Sequence, residues 1–355
     1  MTRYFSGRLS ALTPYTPGEQ PVDKKYVKLN TNENPYPPSR KALEYIAENT
    51  RSLNLYPDPV CGSLVAAVAA SEGLTPEETI VTNGSDEILN FAFMAFCDDR
   101  TPAAFADITY GFYPVFASLN GIRYREIPLK DDFTIDPADY YGIGSTIFIA
   151  NPNAPTGIPL TAEQIESIVM ANPDNVVVVD EAYVDFGSES CVGLIRKYSN
   201  LLVTRTFSKS RSMAGVRLGY GFACPELIRD LNTIRFSTNP YNINNLTMAA
   251  GIGMLNDPEY TADCISRIIR TREEAVSSFR DLGFEVLPSG TNFLFVRHPE
   301  IGGEKLYLSL KEKGVLVRHF TLERIRDFNR VTVGTDEEMC FLFDRIRDIM
   351  GGKCQ

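Results

Sequence analysis

Short apolar runs alternate with helical stretches between about residues 61 and 240 of this 355-residue chain. The runs include TIVT, AAFA, TIFIA, VVVV and LLVT, and the helical stretches include residues 85–97 and 161–171. Strands that alternate with helices predict a mostly parallel sheet with helices on both faces. The sequence therefore predicts an α/β fold, in which ligands lie beyond the carboxyl ends of the strands.

The length of the chain exceeds what one compact core usually holds, so we predict two unequal domains. Residues 1–40 are rich in Pro and Asn and predict an extended arm. A long charged helical stretch at 257–282 leads to the runs FEVL, NFLFV, GVLVR and RVTV, which predict a smaller α+β unit. The predicted large domain covers residues 41–245 and the small domain residues 246–355, with part of the arm joining the latter.

The composition argues against several classes of protein. With 44% hydrophobic and 23% charged residues, the chain is typical of a soluble globular protein. Its formal charge of -10 argues against nucleic acid as a partner. Seven cysteines without CxxC spacing and only two histidines predict no zinc site. The start, MTRYFSGRLS, has no apolar signal core, and no run approaches membrane-spanning length, so we predict a cytoplasmic protein that binds no membrane.

In the segment RTFSKSRSMAGVRLGYG, residues 205–221, Lys209 follows two hydroxyl residues, Thr206 and Ser208, and Arg217 comes eight positions later. This pattern suits a cofactor with a carbonyl that condenses with an amine and a phosphate that needs an anchor, such as pyridoxal phosphate. A lysine among polar residues is also typical of a solvated surface. The segment alone leaves both interpretations open.

A second segment, NVVVVDEAYVDF at 175–186, contains four consecutive valines and then Asp180. The valine run is typical of a parallel strand buried on both faces. Because ligands bind outside the carboxyl ends of such strands, Asp180 is a candidate ligand contact. The alternative is a carboxylate that simply begins the following loop.

Together NPNAPTG, VVDEAY, TFSK and AGVRLGY, in this order and spacing, resemble the fold-type I pyridoxal-phosphate aminotransferases, most closely their histidinol-phosphate aminotransferase branch. The resemblance covers nearly the whole chain and extends to LNTNENPY, LYPDP, NGSDE, ITYGFY, NPYNIN, GVLVRHF and RVTVGT. It implies a large domain with a mostly parallel seven-stranded sheet and a smaller α+β domain that includes the arm. The active site would lie in the cleft between them.

The resemblance assigns three catalytic residues. Lys209 would condense with the aldehyde of the cofactor and, once the substrate amine displaces it, would move the proton between substrate and cofactor carbons. Asp180 would keep the pyridine nitrogen protonated, so that the ring accepts electrons. Tyr183 would donate a hydrogen bond to the phenolic oxygen of the ring, although an ordinary half-buried tyrosine is the alternative.

The motif NPNAPTG departs from the family pattern, in which an asparagine directly before Pro-Thr-Gly reaches the phenolic oxygen. This chain has Ala154 at that position, and Asn153, one residue earlier, is expected to point elsewhere. We therefore expect Tyr183 to supply most of the contact with this oxygen.

The cofactor phosphate is expected on the NGSDE segment, where Gly84 allows a tight turn before a helix. Ser85 and the backbone of Asp86 would present free N–H groups to the anion. From the other side, Thr206, Ser208 and Arg217 would complete the phosphate site. Without a ligand, Ser85 could instead only cap the helix.

Two tyrosines complete the implied cofactor site. Tyr110 matches the aromatic residue that stacks on the ring, although Phe112 and Tyr113 are equally plausible from spacing alone. Tyr56 matches a residue that reaches the phosphate of the neighbouring subunit, which implies a homodimer with shared sites. Otherwise Tyr56 is a turn aromatic that packs on Pro57.

Four residues match the substrate-binding positions of the family. Arg330 corresponds to the arginine that holds a carboxylate through two parallel hydrogen bonds, and Arg318 would add a second positive charge from an adjacent strand. Tyr15 and Asn34 match arm residues near the same end of the substrate. Arg318 could instead be a surface ion-pair partner.

These residues predict transamination between histidinol phosphate and 2-oxoglutarate. An aromatic-amino-acid aminotransferase and a threonine-phosphate decarboxylase are alternatives on the same scaffold. A catalytically silent sensor attached to a transcription regulator is a third alternative, which the acidic charge balance disfavours.

Overall fold

A computed structural model describes residues 2–10 and 12–351, in which strands and helices alternate through the first two thirds of the chain. The strands are β1 (Val27–Lys28), β2 (Thr79–Thr82), β3 (Ala103–Ala106), β4 (Tyr124–Ile127), β5 (Thr146–Ala150), β6 (Val177–Asp180), β7 (Leu201–Thr206), β8 (Gly219–Ala223), β9 (Glu285–Val286), β10 (Phe293–Arg297), β11 (Val315–Leu316), β12 (Arg318–His319) and β13 (Asn329–Thr332). The helices are α1 (Arg40–Asn49), α2 (Gly62–Ser71), α3 (Ser85–Phe96), α4 (Tyr113–Asn120), α5 (Ala162–Ala171), α6 (Pro225–Thr238), α7 (Asn245–Leu255), α8 (Pro258–Asp281), α9 (Gly303–Glu312) and α10 (Asp336–Gly351).

The larger sheet has seven strands in the order β2-β8-β7-β6-β5-β3-β4. β8 runs antiparallel to both of its neighbours, and every other adjacent pair is parallel. The predicted α/β fold with a mostly parallel seven-stranded sheet is therefore confirmed. None of the described helices has both the length and the apolar surface that crossing a membrane would require.

Alternating side chains of the central strands pack into separate hydrophobic layers on the two faces of this sheet. In β5, Ile147 and Ile149 join the layer that contains α2, α5 and α7, whereas Phe148 points to the layer of α3, α4 and α6. Phe148 stacks on Phe93 of α3 with 4.0 Å between ring centroids. Because both faces are covered, the middle positions of β5 and β6 are apolar on both faces, as the valine run predicted.

The smaller sheet is antiparallel, in the order β12-β13-β10-β9, and a separate two-stranded sheet pairs β1 with β11 in parallel. Leu29, which follows β1 in the arm, packs into the same hydrophobic cluster as Leu294, Val331 and Leu342. The arm is thus tied to the C-terminal part of the chain. The domain boundaries after residues 40 and 245 stay a prediction, and α7 itself packs mainly against α1.

The candidate catalytic residues lie at the edge of the sheet formed by the carboxyl ends of its parallel strands. Asp180 ends β6, Thr206 ends the adjacent parallel strand β7, and Lys209 follows three residues later. The carboxyl ends of neighbouring parallel strands lie together, which is where α/β sheets bind ligands.

Candidate active site

Two adjoining cavities open at this edge of the sheet, with volumes of about 230 Å³ and about 420 Å³. Both are lined by the same five residues: Thr31, Tyr110, Ala154, Tyr183 and Lys209. Lys209 therefore lies at the junction of the two cavities, where one amine can face a group bound in either.

The smaller cavity brings together nine of the ten residues predicted to bind the cofactor: Ser85, Asp86, Tyr110, Asp180, Tyr183, Thr206, Ser208, Lys209 and Arg217. The tenth, Tyr56, lines neither cavity within this chain. Its side chain is 82% exposed and stacks on Tyr241 with 4.7 Å between ring centroids. Lys209 lines both cavities, so it is not an ordinary surface lysine.

The loop that carries Lys209 is fixed by the arm. The side-chain amide of Asn34 donates to the carbonyl oxygens of Lys209 and Ser210, each at 3.2 Å, and the Ser210 hydroxyl donates to Asp185. Asn34 was predicted near the substrate, but it lines neither cavity. It is a residue that positions the lysine loop. The Nζ atom of Lys209 lies 3.4 Å from the carbonyl oxygen of Thr31.

Asp180 is a buried carboxyl group that, in the part of the chain the structure describes, forms no ion pair. The Thr204 hydroxyl donates to it at 3.2 Å. Burial, with the negative charge of Asp86 as a further cause, raises the pKa of Asp180 to about 7. A buried carboxylate that lacks a cation is suited to a protonated ring nitrogen, which would lower this pKa again. The neighbouring Glu181 instead pairs with Arg205 at 2.9 Å.

The start of α3 forms a candidate phosphate site. Gly84 precedes the helix with φ of +78° and offers no capping side chain, and Ser85 is the first helical residue rather than the cap. The first N–H groups of a helix lack intrahelical acceptors and attract anions. A Cβ atom at Gly84 would lie 2.6 Å from Nη2 of Arg217, so glycine is what lets this guanidinium approach the helix start.

Gly219 brings the sheet and the same helix start into contact. A Cβ atom at this position of β8 would lie 2.2 Å from the backbone nitrogen of Ser85 and 2.3 Å from the carbonyl carbon of Gly84. Backbone atoms cannot move aside as a flexible side chain can. Only glycine therefore allows the turn of the candidate phosphate site to lie directly on β8.

The carboxylate of Asp86 contacts two other residues of the smaller cavity. Its Oδ1 accepts a hydrogen bond from Tyr110 at 2.7 Å, and its Oδ2 lies 3.6 Å from Arg217. The predicted contact of the Asp86 backbone with the phosphate stays a prediction. Of the three aromatic candidates, Tyr110 lines both cavities, Tyr113 is fully buried beneath it, and Phe112 stacks on Tyr15.

Tyr183 has a partner that sequence reasoning missed. Its hydroxyl accepts a hydrogen bond from the side-chain amide of Asn32 at 2.9 Å. Asn32 has φ of +56°, a left-handed conformation in which asparagine is enriched. This residue belongs to the motif LNTNENPY, from which only Asn34 was selected, and its contact lies 151 positions away.

The larger cavity contains two opposed arginines. Arg318 of β12 and Arg330 of β13 are direct cross-strand partners, and both line the cavity together with Tyr15. Among the described residues neither forms an ion pair, so the alternative of a surface ion pair for Arg318 does not hold. Arg318 donates to the carbonyl oxygens of Thr16 and Pro17 at 3.1 Å each.

Arg330 is the more enclosed of the two cations. Its Nη2 donates to the carbonyl oxygen of Asn30 at 3.2 Å, whereas its Nε is buried with no hydrogen-bond partner. Burial lowers the pKa of this guanidinium. Like charges that face each other across strands repel, so the pair is suited to a bound anion.

The site can be compared with known proteins. The model for aminotransferase class I and II matches residues 24–346. The chain is 49% identical to the histidinol-phosphate aminotransferase of Brachyspira hyodysenteriae over 354 residues, which covers 99% of both proteins. It is also 49% identical to the histidinol-phosphate aminotransferase of a Marinomonas species over 346 residues, or 96% of this chain and 98% of that protein.

Among solved structures, the chain resembles the histidinol-phosphate aminotransferase of Sinorhizobium meliloti in complex with pyridoxal-5'-phosphate. The TM-score is 0.90 at 23% sequence identity, and the match covers 98% of this chain and 99% of that one. This likeness supports the fold, and the family model and the closely similar sequences support the family. The chain belongs to the class I and II aminotransferases.

Proposed function

We propose that this protein is a pyridoxal-phosphate-dependent histidinol-phosphate aminotransferase that exchanges an amino group between histidinol phosphate and 2-oxoglutarate. The observation that carries this proposal is the pair of arginines, Arg318 and Arg330, which form no ion pair with any described residue and line a cavity that adjoins Lys209. The relatives that are 43 to 49% identical over nearly the whole chain and bear this name support it.

The smaller cavity fits the cofactor. The start of α3 and Arg217 would hold its phosphate, Asp180 would face its ring nitrogen, and Tyr110 would contact its ring. When bound, pyridoxal phosphate supplies an aldehyde that condenses with amines and a ring that withdraws electrons from the substrate. Asp180 would hold a proton on the ring nitrogen, because a buried carboxylate gains most from an opposite charge beside it.

Lys209 is the group that moves the proton. Its amine lies at the junction of the two cavities, and its Nζ contacts the carbonyl oxygen of Thr31. A hydrogen bond from Asn34 holds the backbone of Lys209 in place, so the side chain of Lys209 moves about a fixed backbone position. An amine held in this way can accept a proton from one bound carbon and return it to a neighbouring one, which is general acid–base catalysis.

The arginine pair would bind the anionic end of each substrate in turn. Histidinol phosphate has a phosphate ester and no carboxylate, and a dianionic phosphate can accept hydrogen bonds from both guanidinium groups. Glutamate would use the more enclosed Arg330 for its carboxylate. The enzyme would thus alternate between two anionic ligands at one site, as ping-pong transfer requires.

Arg318→Gln is expected to separate the two half-reactions. Removal of a charged hydrogen-bond donor should raise KM for histidinol phosphate by about 10- to 100-fold. KM for glutamate should change much less, because Arg330 remains. Arg330→Gln is the matched comparison and should raise KM for both histidinol phosphate and glutamate. Equal effects of Arg318→Gln on the two substrates would contradict the assigned roles.

We further propose that the protein is a homodimer in which Tyr56 reaches the site of the partner. Support comes from the exposed Tyr56–Tyr241 stack and from three further exposed apolar residues close to Tyr56 in the sequence: Leu53, Leu55 and Val60. Exposed apolar clusters of this kind are typical of protein interfaces. Sedimentation should give twice the chain mass of 39.6 kDa, and a purely monomeric species would refute the proposal. The cytoplasmic location stays a prediction from the sequence.

A further inference from the structure

In the family pattern an asparagine directly before Pro-Thr-Gly reaches the phenolic oxygen of the cofactor, and this chain has Ala154 at that position. Ala154 presents only a methyl group to the two cavities. Asn153 cannot replace the missing amide, because its Nδ2 donates to the carbonyl oxygen of Ile108 and to Thr156, and its Oδ1 accepts from Thr109. All of these contacts are 3.0 Å or shorter, and Asn153 is buried. The donor must come from elsewhere.

Tyr183 is the side chain that can donate, and its hydrogen-bond pattern determines where its proton points. A phenol has a single proton. Because Nδ2 of Asn32 donates to the hydroxyl oxygen of Tyr183 at 2.9 Å, Tyr183 is the acceptor in that contact. Its own proton is then free for an acceptor in the cavities, both of which Tyr183 lines.

The orientation of the Asn32 amide is fixed by its other partners. The Thr332 hydroxyl donates to Oδ1 of Asn32 at 3.1 Å and accepts from the Asn32 backbone nitrogen at 3.0 Å. Nδ2 of Asn292 donates to the Asn32 carbonyl oxygen at 3.0 Å. Asn32, Asn292 and Thr332 are all buried. With Oδ1 occupied by a hydroxyl proton, the amide must turn its N–H groups toward Tyr183.

We propose that Asn32 is a positioning residue that compensates for Ala154, and that Thr332, Asn32 and Tyr183 form a relay that directs the Tyr183 proton to the phenolic oxygen. This inference rests on the proposed cofactor. The relay begins on β13, the strand that also carries Arg330, so residues 330 and 332 extend from the same face of the strand. The strand that holds the substrate anion thus also sets the donor for the cofactor.

Asn32→Asp tests the relay because it keeps the size of the side chain and tolerates the left-handed backbone, but replaces the donor by an acceptor. Tyr183 would then donate to the introduced carboxylate instead of to the cofactor. A hydrogen bond to the ionised oxygen of the cofactor favours its deprotonated form. Loss of that bond should raise the pH midpoint of the visible absorption band of the cofactor-loaded protein by about one unit.

A double-mutant cycle with Tyr183→Phe separates the relay from the added charge. The titratable groups that line the two cavities are Tyr15, Glu33, Asp86, Asp107, Tyr110, Asp180, Tyr183, Lys209, Arg217, Arg318 and Arg330, and of these the variants change only Tyr183. The relay predicts that Asn32→Asp shifts the midpoint less than half as much when Tyr183 is already Phe. Equal shifts in both backgrounds would reflect charge alone and would overturn the inference.

A neutral pair of variants provides a second test if Asn32→Asp does not fold. Thr332→Val removes the hydroxyl that orients the amide, and we expect a shift in the same direction. Thr332→Ser keeps the hydroxyl and should leave the midpoint within about 0.2 units, since the hydrogen bond persists. Identical midpoints for the two variants would overturn the relay. A wild-type protein that shows no visible band with pyridoxal phosphate would instead overturn the proposed cofactor, and the relay with it.

Discussion

Lys209→Ala should lower the transamination rate by at least about 10⁴-fold, the upper end of what general acid–base catalysis contributes. The variant loses both the amine that condenses with the cofactor and the base that moves the proton. Cofactor should still bind through the start of α3 and Arg217, but borohydride should no longer attach it to the protein. Mass spectrometry after reduction, together with a steady-state assay, measures both effects.

Lys305→Ala is the matched control, because Lys305 is an exposed lysine on α9. It should keep wild-type activity and should still acquire the reduced cofactor at position 209. A Lys209→Ala protein that retains more than about one hundredth of the wild-type rate would contradict the role of this amine.

Asp180→Asn should lower the transamination rate by about 10² to 10⁴-fold, which corresponds to the 3–5 kcal/mol lost when one partner of a buried ion pair is removed. Asparagine keeps the shape of the side chain but cannot hold a charge opposite the ring nitrogen. Asp230→Asn, which changes an exposed carboxylate on α6, is the control and should be silent. Wild-type kcat in Asp180→Asn would refute the assignment.

The same substitution should stabilise the cofactor-free protein at neutral pH. Burial raises the pKa of Asp180 to about 7 from an ordinary value of 3.8. As pH rises from 4 to 7 the unfolded chain ionises this group while the folded chain keeps it protonated, so folding loses stability over that window. Asp180→Asn removes up to about 4 kcal/mol of this penalty above pH 7, and less at pH 5. Urea unfolding at pH 5 and pH 8 measures the difference.

Much of the fold could be predicted from the sequence because buried parallel strands are continuous apolar runs. TIVT, AAFA and TIFIA coincide with β2, β3 and β5. Two strands of the large sheet were not predicted, and the reason differs between them. β4, YREI, is an edge strand with three exposed residues, and β8, GYGFA, contains glycines that the close approach of α3 requires. The run GVLVR divides into β11 and β12, because its two halves pair with different strands.

Some residues of the candidate site could be predicted from the sequence, whereas the roles of others could not. The residues at strand ends and helix starts follow from local pattern and motif, and the smaller cavity contains nearly all of them. The roles of Asn32 and Asn34 could not be predicted, because their partners Tyr183, Thr332 and Lys209 lie 151 to 300 positions away. Motif matching finds the segment, but only the tertiary structure determines where each amide points.

A panel of amino donors tests the central claim most directly, with 2-oxoglutarate as acceptor and histidinol phosphate, phenylalanine and threonine phosphate as donors. The opposed Arg318 and Arg330 predict that histidinol phosphate exceeds phenylalanine in kcat/KM by at least about 10-fold, because a phosphate engages both guanidinium groups and phenylalanine has none. Glutamate should accumulate without release of carbon dioxide. Preferential turnover of phenylalanine, or carbon dioxide released from threonine phosphate, would contradict the account.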